Sequence, residues 1–264
     1  MKDRVVLVTG AGRGIGRAIA EGFAGQGARV AVTARTRTEL DQVALDERKL
    51  GGTLLPIVED LADPAAPSPL FSAVAKAFGR IDILVNNAGV GSSIPDRGPG
   101  SEQPRPIVEF DDDFWDLTLT VNVTAPYKLM KLALPGMIER RWGRVINISS
   151  INASVPALHG AAYTASKHAL TGLTKVAAIE TAEQGVTVNA ICPAATRSAL
   201  NDRRIRYDTD RLGVSIEQFE RGLTPLGRRL EPEEIASLAL YLASDGAGTI
   251  NGQSINVCGD KVFG

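Results

Sequence analysis

The sequence predicts an α/β fold, in which a doubly wound parallel sheet is covered by helices on both faces. Short apolar runs alternate with helical patterns along the chain, and runs that are apolar on both faces are typical of strands buried between two helix layers. Repeated strand–helix–strand units imply right-handed crossovers between neighbouring strands. The seven predicted strands are Val5–Thr9, Val30–Thr33, Leu54–Val58, Ile83–Asn86, Arg144–Ser149, Val186–Ile191 and Ser254–Val257.

The composition suits a single domain over residues 1–264 that acts on a small molecule. Hydrophobic residues make up 44% of the chain, enough for a sizeable core. The 29 Lys and Arg residues balance 30 Asp and Glu residues, which leaves no field to hold nucleic acid or an anionic membrane. Without a signal region or an apolar stretch of about 20 residues, we expect a cytoplasmic protein. Cys192 and Cys258 suit neither a disulfide framework nor zinc, so we expect buried free thiols and no metal site.

The first predicted strand leads into a glycine-rich turn and then into the amphipathic pattern of Arg17–Ala24. Glycines let the backbone turn sharply and approach a pyrophosphate, to which a helix N-terminus offers unpaired N–H groups. The turn departs from the Rossmann G-x-G-x-x-G fingerprint, because Ile15 stands where that fingerprint has its third glycine. A tight connection alone would explain the glycines, but their place between a strand and a helix indicates dinucleotide binding through Gly10, Gly12, Arg13, Gly14, Ile15 and Gly16.

The ends of the second and third predicted strands bear on the choice of cofactor. An NAD site usually has an acid at the end of the second strand, whereas this chain reads Thr33-Ala34-Arg35. Arg35 and Arg13 could bracket a 2′-phosphate, so the sequence favours NADP(H) over NAD(H). A solvated Arg35 at a helix start would fit either cofactor. Asp60 could accept a hydrogen bond from the adenine amino group, or it could cap a helix.

A segment rich in glycine and proline, Gly91–Pro106, follows the fourth predicted strand. Its composition excludes a regular helix or strand, so we expect a long loop at the carboxyl end of that strand. Loops of this length are often functional, and two interpretations stay open: a lid or wall over the substrate, or a mobile insertion at the surface.

Tyr163 and Lys167 are four residues apart, a spacing that places both on one face of a helix. A cation close to a phenol favours the phenolate, so the pair is expected to move the pKa of Tyr163 toward neutral pH. Such a tyrosine can pass a proton to or from a carbonyl or alcohol oxygen. The same spacing occurs on solvated helices, so by itself it does not establish a catalytic pair.

The chain resembles the short-chain dehydrogenases/reductases along nearly its whole length. The motifs that carry the resemblance are Thr9-Gly10-x-x-x-Gly14-x-Gly16, Asn86-Asn87-Ala88-Gly89, Asn122, Ser150 and Tyr163-x-x-x-Lys167. The resemblance implies a Rossmann-type sheet with strand order 3-2-1-4-5-6-7. It implies that Tyr163 is the general acid/base, that Lys167 holds the nicotinamide ribose and lowers the pKa of the tyrosine, and that Ser150 binds the reacting oxygen. Asn122 would help to hold a proton-relay water.

The same resemblance extends the expected cofactor site and adds a substrate loop. Beyond the glycine turn and Arg35, the expected cofactor contacts are Asp60, Leu61, Asn87, Ala88, Gly89, Tyr163, Lys167, Pro193 and Thr196. The family usually has Pro-Gly after the sixth strand, whereas Ala194 follows Pro193 here and restricts the backbone near the nicotinamide carboxamide. A substrate loop is expected at about residues 195–230, charged and irregular from Ala199 to Leu230, with arginines that form a solvated face or grip an anionic substrate.

Within the family, the chain looks most like the β-ketoacyl and polyketide ketoreductases, which implies NADPH-dependent reduction of a ketone to a secondary alcohol. The substrate would be a small carbonyl compound, such as a β-keto thioester or a polyketide. Two alternatives stay open: NAD(P)-dependent oxidation of a sugar, steroid or hydroxy acid, and a non-catalytic dinucleotide-sensing protein. The expected apolar substrate pocket contains Ile94, Val155, Leu158 and His159. His159 is interpreted either as a second acid/base group or as a pocket wall or surface residue.

Long helices are expected over Asp111–Met137 and Ala157–Ala182. They match the surfaces through which family members form dimers and tetramers. We therefore expect a homotetramer with two-fold symmetry, or a homodimer.

Overall fold

The structure, a computed structural model, describes residues 1–50, 53–92 and 103–259. Its centre is a seven-stranded parallel sheet with the order β3-β2-β1-β4-β5-β6-β7, which confirms the predicted fold and strand order. The strands are β1 Val5–Thr9, β2 Arg29–Ala34, β3 Thr53–Val58, β4 Ile83–Asn86, β5 Gly143–Ile148, β6 Val186–Pro193 and β7 Ser254–Val257.

Helices cover both faces of the sheet and create two separate cores. They are α1 Gly14–Gly25, α2 Arg37–Leu50, α3 Pro67–Phe78, α4 Asp112–Leu119, α5 Ala125–Glu139, α6 Ala161–Thr181, α7 Ala199–Leu212, α8 Ile216–Arg221 and α9 Pro232–Leu242. Strand β1 shows why both cores form: Val6 and Val8 pack with α1 and α9, whereas Val5 and Leu7 pack with α3 and α5. All its residues are therefore buried, as a strand between two helix layers requires.

The segment after β6 is more regular than its sequence indicated, and the prediction of an irregular 199–230 segment was wrong. Two helices, α7 and α8, occupy much of it. Each begins at a serine whose side chain accepts a hydrogen bond from the backbone three residues later: Ser198 from Asn201, and Ser215 from Gln218. These caps satisfy backbone N–H groups that would otherwise lack partners, and they set where each helix starts.

The two long predicted helices also differ in detail from the observed ones. The first is interrupted by a π-helical segment, Thr120–Thr124, which separates α4 from α5. The second starts at Ala161 rather than at residue 157, because His159 has a positive φ of 57° and Gly160 is the cap residue. Both departures lie beside residues predicted to be functional, as irregular helix segments often do.

Smaller predictions have mixed outcomes. Gly91, Ser92 and residues 103–106 form neither helix nor strand, whereas residues 93–102, including Ile94, lie outside the described residues.

Both cysteines are buried free thiols, as expected. Across residues 1–50, 53–92 and 103–259, no helix is long and apolar enough to cross a membrane. Over the same ranges, no cluster of three or more His, Cys, Asp or Glu residues could hold a metal ion.

Candidate active site

A cavity of about 580 Å³ opens at the carboxyl ends of the strands. It brings together most of the predicted site residues from seven separate stretches of chain. Those that line it are Gly10, Gly12, Arg13, Gly14, Ile15, Arg35, Asp60, Leu61, Asn87, Ala88, Gly89, Ser150, Val155, Leu158, Tyr163, Lys167, Pro193 and Thr196. Three predicted residues are not among the described lining residues, namely Gly16, Asn122 and His159.

The glycine turn after β1 is tied to the turn after β4. The Thr9 hydroxyl accepts hydrogen bonds from the backbone N–H groups of Asn87 and Ala88, each at 3.0 Å. The Asn87 side-chain amide in turn donates to the carbonyls of Thr9 at 2.9 Å and Gly10 at 3.0 Å. Gly10 has φ of +64°, and a Cβ on it would lie 2.7 Å from the Cα of Ala88. The two turns therefore pack at backbone contact distance, for which Gly10 is required.

Gly16 serves packing rather than the cavity. A Cβ at this position would overlap Nδ2 of Asn87 and the Gly10 carbonyl oxygen. This close approach lets α1 start directly beneath the glycine turn. Gly16 thus holds the turn and the helix together. Its contact with a cofactor stays a prediction.

The N-terminus of α1 fits a pyrophosphate group. Its cap residue, Arg13, makes no side-chain cap hydrogen bond, and the first turn of the helix contains no acidic side chain. By contrast, α4, α7 and α8 each begin with a side chain that accepts a backbone hydrogen bond. The first N–H groups of α1 and the positive end of its dipole are therefore available at the cavity, beside Gly12 and Gly14.

Glu39 is an acidic residue beside the glycine turn that the sequence did not predict to be part of the site. Glu39, in the first turn of α2, lines the cavity together with Arg35 and Arg13. Its Oε1 lies 3.0 Å from Nη1 of Arg13. The acid that NAD-binding folds use stands at the end of the second strand, whereas Glu39 is four residues beyond Arg35. Folding of α2 back over the glycine turn brings it to the site.

Asp60 follows β3 by two residues at the cavity wall, and it forms a turn rather than a helix cap. Its Oδ1 accepts a hydrogen bond from the backbone N–H of Ala62 at 3.0 Å, and its carbonyl accepts one from Asp63, also at 3.0 Å. Helix α3 starts only at Pro67. The side chain that stays at the cavity is consistent with an adenine contact.

Tyr163 and Ser150 face each other in the cavity. Burial raises the pKa of the Tyr163 phenol, and a side-chain hydrogen bond with Ser150 opposes that shift. The expectation that Lys167 moves this pKa toward neutral pH is therefore wrong for this structure. The phenolate loses its hydration in the cavity wall, and desolvation of the charged form outweighs the other effects. A phenol that keeps its proton at neutral pH is suited to donate it.

Lys167 lies behind the tyrosine and is almost fully buried. Its Nζ lies 5.6 Å from the centroid of the Tyr163 ring and donates a hydrogen bond to the Ile148 carbonyl at 2.8 Å. Burial lowers the pKa of Lys167 to about 8. A Cβ on Gly89 would lie 3.7 Å from this Nζ, so the missing side chain leaves the approach to the ammonium group clear. A ligand hydroxyl at the cavity wall can therefore reach Lys167.

Asn122 lies within the π-helical segment and is buried just outside the cavity. Its side chain accepts from the Val90 N–H at 2.7 Å and donates to the Val90 carbonyl at 2.9 Å. It also donates to Oγ of Ser166 at 2.9 Å, and Ser166 donates to the Tyr163 carbonyl at 2.8 Å. Asn122 therefore links the turn after β4 to the helix that carries Tyr163, which is a positioning role.

The outer wall of the cavity is formed by residues 155–158 and helix α7, which contact each other. Arg204 donates to the Leu158 carbonyl at 2.9 Å and pairs with Asp208 at 2.7 Å. Nδ1 of His159 lies 2.5 Å from the hydroxyl of Tyr207. His159 thus joins the loop to α7 instead of lining the cavity. The guanidinium of Arg204 also connects the two parts of the wall. The sequence had suggested only that the arginines of this segment form a solvated face or bind an anionic substrate.

The chain is similar in sequence and structure to known dehydrogenases and ketoreductases. A family model described as short chain dehydrogenase matches residues 4–208. A Streptomyces violaceoruber protein described as a ketoacyl reductase of the granaticin polyketide synthase is 37% identical, over 97% of this chain and 92% of that protein. D-beta-hydroxybutyrate dehydrogenase from Cupriavidus necator is 32% identical, over 99% of each chain. The structure of a variant actinorhodin polyketide ketoreductase with NADPH superposes with a TM-score of 0.88, at 33% identity and 98% coverage of each chain.

Proposed function

The chain belongs to the short-chain dehydrogenase family, and within it we propose that the protein reduces a ketone to a secondary alcohol with NADPH. It is an oxidoreductase of the kind that acts on CH–OH and keto groups. The observation that carries the proposal is that Ser150, Tyr163 and Lys167 line the same cavity as the glycine turn.

The residues of this chain supply binding and proton transfer. The nicotinamide cofactor, when bound, supplies the hydride. Tyr163 donates its phenolic proton to the carbonyl oxygen of the substrate, and the Ser150 hydroxyl holds that oxygen by a hydrogen bond. Lys167 binds the nicotinamide ribose, and its positive charge stabilises the phenolate that Tyr163 leaves behind. Asn122 holds the turn that ends at Val90. It also helps to position a water molecule that returns a proton to Tyr163.

The relatives and the cavity wall support a substrate class. One of the similar proteins is named as a ketoacyl reductase of a polyketide synthase, and another as a polyketide ketoreductase. Val155 and Leu158 are 37% and 54% exposed on the cavity wall, which suits an apolar chain beside the reacting carbon. We propose a β-keto thioester or polyketide ketone as substrate. Oxidation of a hydroxy acid is the second candidate, because the relative from Cupriavidus necator is named as a hydroxybutyrate dehydrogenase.

The function is tested by following NADPH and NADH consumption with a panel of β-keto thioesters and simple ketones. Wild-type protein is expected to reduce members of the panel faster with NADPH. Arg35→Ala should weaken NADPH binding by about 10- to 150-fold, because a charge-assisted contact to a phosphate contributes roughly 1.5–3 kcal/mol. NADH binding should change little. Oxidation of 3-hydroxybutyrate with no reduction of any ketone would favour the second candidate, and an unchanged NADPH affinity would contradict the role of Arg35.

We propose a homotetramer, or at least a homodimer, built through α5 and α6. Val176 and Ile179 of α6 are 52% and 79% exposed, and Tyr127 of α5 is 46% exposed. Apolar side chains spaced in this way on neighbouring helices are suited to pack against a second copy about a two-fold axis. Multi-angle light scattering should give the mass of a tetramer or dimer at micromolar concentration. A monomer under those conditions would contradict the assembly.

A further inference from the structure

Glu39 occupies the part of the cavity where the adenosine end of a dinucleotide would enter, close to the glycine turn. Its Oε2 lies 2.6 Å from where a Cβ on Gly12 would be, so the space that Gly12 leaves is filled by this carboxylate. Its Oε1 pairs with Arg13 at 3.0 Å, and its side chain is 29% exposed. The carboxylate is therefore held over the turn, yet open to a ligand.

The charges at this end of the cavity do not all favour a 2′-phosphate. Arg13 and Arg35 are positive, but Glu39 lines the same cavity as a negative charge that is already paired with Arg13. A dianionic phosphate must compete with Glu39 for Arg13, and it is repelled by the carboxylate at the same time. A ribose 2′-hydroxyl, in contrast, can donate a hydrogen bond to a carboxylate, as it does in NAD-binding folds.

We propose that Glu39 sets the dinucleotide preference of this protein by opposing the two arginines. With NAD(H), the carboxylate accepts a hydrogen bond from the 2′-hydroxyl and keeps its pair with Arg13. With NADP(H), the 2′-phosphate binds Arg13 in place of Glu39. The protein therefore uses both dinucleotides, with a smaller preference for NADP(H) than two arginines alone would give. This inference rests on the proposed use of a nicotinamide dinucleotide.

The test compares Glu39→Gln with wild-type protein by isothermal titration calorimetry, using NADPH and NADH. Two fragments, adenosine 2′,5′-bisphosphate and adenosine 5′-monophosphate, isolate the effect of the 2′-phosphate from the rest of the cofactor. The variant should bind NADPH and the bisphosphate about 10-fold more tightly, because one repulsive charge is gone and Arg13 is released. NADH should bind several-fold more weakly, because an amide is a weaker acceptor than a carboxylate.

Glu21→Gln is the matched control. Glu21 pairs with Arg17 at 2.7 Å and is 30% exposed, so the substitution removes the same charge from a similar ion pair that does not line the cavity. It should leave all four affinities unchanged. Equal ratios of NADPH to NADH affinity in Glu39→Gln and wild type would overturn the inference alone. Failure of wild-type protein to bind either dinucleotide would overturn the proposed function together with it. Thermal melts of both variants confirm that each is folded.

Discussion

Tyr163→Phe is expected to lower the rate of ketone reduction by about 10²- to 10⁴-fold, the usual range for loss of a general acid. The substitution removes the proton donor and the hydrogen bond with Ser150, but it keeps the ring that forms part of the cavity wall. Because burial keeps the phenol protonated, the proton is available at neutral pH, and its loss should appear in kcat. Dinucleotide affinity should stay within about 2-fold of wild type, since Lys167 and the glycine turn are untouched.

Steady-state rates with the best ketone of the panel, measured alongside NADPH titrations, check this expectation. Tyr241→Phe is a suitable control, because Tyr241 lies on α9, is 51% exposed and does not line the cavity. If Tyr163→Phe retained the wild-type rate, Tyr163 could not be the proton donor. If the wild-type protein bound dinucleotides but reduced or oxidised no substrate, the protein would instead fit the third interpretation, a dinucleotide sensor.

Gly16→Ala is expected to destabilise the protein by about 1–3 kcal/mol, the usual cost of overpacking a tight contact. The new methyl group would overlap both the Asn87 amide and the Gly10 carbonyl. Asn87 ties the two cavity turns together, so its displacement should also weaken dinucleotide binding. Thermal unfolding should show a Tm lowered by several degrees, because about 1 kcal/mol corresponds to roughly 2–4 °C in a chain of this size.

Gly25→Ala in the same helix separates this contact from general helix effects. Nothing lies within 4 Å of the position that its Cβ would take. Its Tm should be equal to or slightly higher than that of wild type, because alanine favours a helix more than glycine does. Equal melting temperatures for Gly16→Ala and Gly25→Ala would show that the approach of α1 to Asn87 does not constrain the turn.

Much of the fold could be predicted because strand patterns are local. Val5–Thr9 is apolar at successive positions, and that pattern already requires burial on both faces, which the two cores around β1 confirm. The helices between residues 199 and 230 could not be predicted in the same way. They are rich in charged residues, and serine caps rather than an apolar period mark where they begin.

The sequence predicted the positions of some side chains in the site but not their environments. The spacing of Tyr163 and Lys167 correctly placed both on one helix, but the sequence could not show how deeply each is buried. Burial decides the direction in which the pKa of Tyr163 shifts, and that direction was wrong in the sequence analysis. His159 does not line the cavity, and its ring instead contacts Tyr207 on α7, a pairing between residues 48 positions apart that no local pattern predicts.

The sequence by itself determined the parallel sheet, the glycine turn beside a helix N-terminus, and the placement of Tyr163 and Lys167 on one helix. These follow from local periodicity and from short motifs whose residues remain together in any fold of that class. Only the tertiary structure placed Glu39 against Arg13 and showed that Gly16 is a packing position. Those contacts join segments that are distant in sequence, and their distances are set by how closely α1, α2 and the β4 turn pack, which no local pattern specifies.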